Sequence, residues 1–251
     1  MNLGKYQEVG WLLVCMLPFF FIQAKLHREL KLFFYLVLRK DSYADMLFYI
    51  LFFPGILVHE SSHWLMAKLM RVPTGKLSLI PRNLPNGKLR LGYVETQKSD
   101  WFRDSLIGAA PLITGCIITG WIANTFWSTP VIAHAIALGD MQTLKQLITF
   151  VYSGSYFWVW FYLVFTISSM MLPSESDRNS WSPVILIFAV FILALIITGA
   201  GGWLESNLLP LLNPILTSLS TVFAVSLSLH IILLIPVWLF REGLEKLAGY
   251  P

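Results

Sequence analysis

Long apolar runs separated by short polar stretches set the pattern of this chain. The runs cover positions 9–24, 46–70, 105–126, 146–172, 183–201 and 216–240. In lipid, a backbone must bond its own polar groups, so runs of this kind form helices across a hydrocarbon core of about 30 Å. The pattern predicts an all-α polytopic membrane protein with about six transmembrane helices. Residues 25–40 carry charges early and aromatics late. They fit an interfacial segment or a continuation of the first helix past the headgroups equally well. The longest polar stretch, 71–100, has two strand-like segments, 76–80 and 88–96, around an Asn86-Gly87 turn signal. It predicts a small β-hairpin at the membrane face. That hairpin is either a plain connection or an edge strand that holds an extended substrate by strand addition, with Leu91 and Tyr93 as contacts. Residues 127–145 read as a mixed connection, and 202–214 as a loop.

Composition sharpens this picture. Hydrophobic residues make up 56% of the chain and charged residues 13%, where soluble domains carry about 25% charged residues. The net charge of +4 sits in loops beside apolar runs, which points to the membrane face and excludes nucleic acid as a partner. With six spans, Lys and Arg are in excess on the side holding the hairpin, the Asp177 loop and the C-terminus, and the positive-inside rule makes that side cytoplasmic. The first run has no small-residue cleavage site after it, so it is read as a retained helix. Cys15 and Cys116 lie in apolar runs without metal-ligand spacing and are read as buried thiols. No linker or repeat divides the chain, which is taken as a single membrane domain, 1–251.

The second run carries chemistry. His59, Glu60 and His63 follow the spacing H-E-x-x-H. Residues four apart share a helix face, so the two histidines can grip one metal ion with the glutamate beside its open position as general base. As a helix, 46–70 runs about 37 Å, and ionisable residues at membrane depth mark function. Pro54-Gly55 predicts a kink or break that admits water and substrate. A catalytic zinc needs a third protein ligand. Asp177, Glu175, Glu205, His134 and His230 are available, and the topology favours Asp177 or Glu175. His230 otherwise suits a helix–helix hydrogen bond or an interfacial ring, and His134 a loop.

The segments PGILVHESSHWLMAKLM at 54–70, IGAAPLITG at 107–115 and the turn ending at Asp177 resemble the site-2 protease family of intramembrane zinc metalloproteases. The resemblance covers 46–177 as a metalloprotease-like core, with 1–45 and 178–251 as accessory helices. It implies Zn2+ as cofactor, His59, His63 and Asp177 as its ligands, Glu60 as catalytic base, and a transmembrane protein as substrate. It also places Ser169, eight residues before Asp177, where the family has a substrate-contacting Asn. Two positions depart from the family pattern: Ser169 itself, and Arg178 where a Gly is usual. They carry an alternative expectation, a catalytically weak or inactive member serving as a structural or assembly subunit of a membrane complex.

Overall fold

A computed structural model of the chain describes residues 6–83, 89–90, 92–154 and 156–247. In chain order the elements are α1 (Gln7–Leu38), α2 (Asp41–Leu69), β1 (Thr74–Ser78), β2 (Arg82–Asn83), β3 (Leu89–Arg90), β4 (Tyr93–Thr96), α3 (Trp101–Trp127), α4 (Thr129–Leu138), α5 (Met141–Ser153), α6 (Phe157–Met170), α7 (Glu175–Arg178), α8 (Ser182–Ile197), α9 (Gly201–Trp203), a π-helical turn (Leu204–Leu208) and α10 (Leu209–Leu247). Four helical stretches are long and apolar enough to cross a membrane: α1, α2, α3 and the stretch Gly201–Leu247. The pair α5 and α6, bent by 93°, makes a fifth if counted as one span. The run at 183–201 becomes α8, whose 16 residues fall short of the roughly 20 that a span needs. The expected loop at 202–214 is instead helical and leads into α10.

Residues 25–38 continue α1 rather than lying in the interface. Leu26, Leu30 and Phe34 pack with Phe48 and Phe52 of α2 and Leu234 of α10, and the buried Glu29 pairs with Arg241 Nε at 2.6 Å. That packing outweighs the pull of the early charges toward headgroups. Contacts along α1 climb in step with those along α10. Tyr6 meets Glu205, Glu8 meets Thr217, Phe19 meets Phe223, and Glu29 meets Arg241. The two helices therefore run parallel, and α2 runs back antiparallel, with Lys31 against Asp45 and His27 against Phe48. Helix α6 is parallel to α2, since Tyr162 bonds the Leu51 carbonyl and Met170 lies at His59.

This topology corrects the expected sidedness. The hairpin, the start of α3, the end of α6 and Asp177 share one end of the bundle, but the C-terminal end of α10 lies at the other. Arg241 and Lys246 move with it, which removes much of the charge asymmetry. Helix α8 does not cross. Ser180 is tied to Ser105 at 2.6 Å and Glu205 to Tyr6 at 2.6 Å, so both of its flanks sit at the hairpin end.

The polar stretch forms the expected antiparallel arm. Thr74 pairs with Thr96 and Ser78 with Tyr93; Arg82 pairs with Arg90 and Asn83 with Leu89. The Asn86-Gly87 turn lies outside the described residues. Helix α2 runs through Pro54 without a break. Gly55 serves another purpose: a Cβ at this position would collide with the Thr166 carbonyl of α6.

Gly55→Ala is expected to push α2 from α6 and cost about 1–3 kcal/mol. Gly10→Ala, a position with open space around it, is expected to leave stability unchanged or raise it, since Gly inside a helix costs up to about 1 kcal/mol relative to Ala. Thermal unfolding in detergent micelles measures both.

Candidate metal centre

Helix geometry brings His59 and His63 onto one face of α2, with ring centroids 4.8 Å apart. Each ring is then fixed by a backbone carbonyl that its own helix leaves unbonded. His59 Nδ1 donates to the Met170 carbonyl at 2.7 Å, and Met170 is the last residue of α6, where carbonyls have no partner further along the helix. His63 Nδ1 donates to the Ile107 carbonyl at 2.8 Å. Four residues on stands Pro111, which has no N–H to bond that carbonyl. A carbonyl can only accept, so both protons sit on Nδ1 and each neutral ring turns an Nε2 lone pair inward.

Asp177 supplies the third group. Its Oδ1 lies 3.3 Å from His63 Nε2 and its Oδ2 3.8 Å from His59 Nε2. The two Nε2 atoms are 3.1 Å apart. A capping box positions the carboxylate at the start of α7: Ser174 donates to Oδ2 through its backbone N–H at 2.8 Å and its hydroxyl at 2.6 Å. Gly108 lets the Asp177 backbone press against α3, because a Cβ there would collide with the Asp177 carbonyl. Burial raises the Asp177 pKa, and the hydrogen bonds from Ser174 oppose it by favouring the charged carboxylate.

Two imidazole lone pairs and a carboxylate converge with one ligand atom from each residue, all within 4.8 Å. Such acceptors repel one another unless a cation sits among them. Two imidazole nitrogens and a carboxylate are a donor set that divalent metal ions take, so the His-His-Asp group can hold a metal ion.

The group opens on a cavity of about 910 Å³, lined by Glu60 as well as by His59, His63 and Asp177. Strand β4 passes over Glu60, and Gly92 makes room for it: a Cβ there would stand 2.8 Å from Glu60 Cγ. Among the other acids and histidines weighed as ligands, Glu175 and His134 are exposed, Glu205 bonds Tyr6, and His230 is buried against Ser169 and Ser226.

Of the two hairpin residues expected to contact substrate, the structure describes Tyr93. Tyr93 is buried at 8% exposure, and the cavity is lined instead by Gly92, Val94 and Thr96. Side chains alternate across a strand, so a shift of one residue exchanges the faces. Leu91 lies outside the described residues. Ser169 borders the cavity, but its hydroxyl is taken up by His230 Nε2 at 2.8 Å. Sequence reasoning missed Gln23, His27 and Lys31 of α1, which also line the cavity. Their four-residue spacing along one face of α1 was the available signal.

Pro111→Ala is expected to restore an N–H for the Ile107 carbonyl, loosen His63 and weaken zinc binding by about 10–100-fold, as measured by competition with a chelator in micelles. Among known proteins, no family model, no curated protein and no solved structure matches this chain.

Proposed function

We propose that this protein is an intramembrane zinc metalloendopeptidase of the site-2 protease type, acting on a transmembrane protein substrate. The observation that carries the reading is the convergence of His59 Nε2, His63 Nε2 and the Asp177 carboxylate beside Glu60, inside a bundle of apolar helices. Bound by these three residues, zinc supplies a water of lowered pKa and polarises a carbonyl oxygen. Glu60 takes the proton of the attacking water and passes it to the leaving amine. His59 and His63 keep their Nδ1 protons on the Met170 and Ile107 carbonyls, so neither ring turns nor changes tautomer during the reaction. Ser174 keeps Asp177 from rotating out of the group. Gly92, just before β4, packs against Glu60 on one side. A peptide bond inside a helix is covered by its neighbours, so the substrate enters unwound.

A second reading draws on Ser169. With its hydroxyl committed to His230, it is not free to act as the family's Asn, which suits an assembly subunit without turnover.

Glu60→Gln is expected to slow cleavage of a model transmembrane substrate by at least about a hundredfold while the variant still binds one zinc per chain. A wild type that holds zinc and cleaves nothing overturns the endopeptidase reading and leaves the assembly subunit.

A further inference from the structure

The two helices outside the metalloprotease-like core, α1 and α10, meet that core at the end of α6. There the chain leaves its helix at Met170, and the carbonyls of the last turn need partners from elsewhere. Met170 receives His59 Nδ1. The preceding carbonyl, that of Ser169, receives Gln23 Nε2 from α1 at 2.9 Å. The same amide nitrogen lies 3.3 Å from His27 Nδ1. Both of its protons are thus directed, one to the carbonyl and one to the ring, and this fixes which end of the amide is nitrogen. His27 is itself held between Phe48 and Phe52.

On the other side of the end of α6 stands His230 of α10, with no exposed surface. Its Nδ1 donates to the Ser226 carbonyl at 2.7 Å, so its Nε2 accepts the Ser169 hydroxyl proton at 2.8 Å. The residue next to the one that orients His59 is therefore gripped twice, by its carbonyl and by its hydroxyl. Beyond Ser169, the chain has only residues 170–176 before Asp177.

We propose that Gln23 and His230 are positioning residues for the metal centre, acting through Ser169 on the Met170 carbonyl that orients His59 and on the turn that delivers Asp177. The inference rests on the proposed metalloprotease reading for its function, but it concerns metal binding and is tested without cleavage. Loss of Gln23 frees the Ser169 carbonyl, and loss of His230 frees its hydroxyl. Either lets the end of α6 shift, and His59 and Asp177 shift with it.

The test measures zinc affinity by chelator competition, and the visible spectrum after cobalt substitution, on the full chain in micelles. Gln23→Leu and His230→Leu are each expected to weaken zinc about 10–100-fold and to change the cobalt spectrum. His230→Gln, which keeps an acceptor, restores most of the affinity. Glu29→Gln, which breaks a different contact between α1 and α10, is expected to lower the thermal midpoint and leave zinc affinity unchanged. Should the leucine variants not fold, Ser169→Ala removes the hydroxyl link with little change in volume and is expected to weaken zinc in the same direction.

Wild-type affinity and spectrum in folded Gln23→Leu and His230→Leu variants overturn the inference, and so does a wild type that binds no metal. Equal weakening by Glu29→Gln also overturns it, since the effect is then one of general stability. Weakened zinc in a protein that cleaves nothing supports the positioning role while the endopeptidase reading falls.

Discussion

Carbonyl groups without helical partners, held where no water can satisfy them, are the constraint on which this structure turns. In an apolar interior an unbonded carbonyl is costly, and side chains that can donate to it are drawn in. Pro111 frees one such carbonyl in the middle of α3, and the end of α6 frees others. His63 and His59 take two of them. The same bonds that settle these carbonyls decide the tautomer of each ring and aim its remaining nitrogen at its neighbour. The metal site and the breaks in the helices are one arrangement: without the proline and the early end of α6, the histidines would have no reason to face each other with bare lone pairs.

Close backbone contact makes the arrangement possible. Gly55 allows α6 to lie against α2, and Gly108 allows the Asp177 turn to lie against α3. Small residues at these two points set the depth at which α6 stops and the approach of α7. Helices α1 and α10, packed in parallel, then close the bundle around the end of α6. Their ion pair between Glu29 and Arg241 is buried on the acid side, and it explains how Glu29 sits inside the helix bundle.

Much of this could be read from residue patterns. His59, Glu60 and His63 are separated by one helical turn, so their shared face follows from the helical period alone, and the run around them is too apolar for a strand or loop. The antiparallel arm at 74–96 followed from alternation and turn chemistry. Its facing side did not: alternation says that Gly92, Val94 and Thr96 share a face, yet not which face meets the cavity, and Tyr93 falls on the other parity. Hydropathy counted six apolar runs but could not separate a helix that crosses from one like α8, whose two flanks are tied to the same end by Ser105 and Tyr6. The bend between α5 and α6 was hidden for the same reason, since both halves are apolar and the 93° turn leaves no change in composition.

The sequence by itself determined the membrane setting, the helical class and the pair of histidines with their glutamate, because hydropathy and helical spacing are local properties. The sequence narrowed the third group to Asp177 or Glu175, and tertiary structure brought Asp177 to the histidines; tertiary structure alone decided that Ser169 turns to His230 and that Gln23 reaches the end of α6. Each of these depends on which unbonded carbonyl or hydroxyl lies within reach of which donor. That is set by how the helices cross and where they stop, and no short-range pattern encodes it.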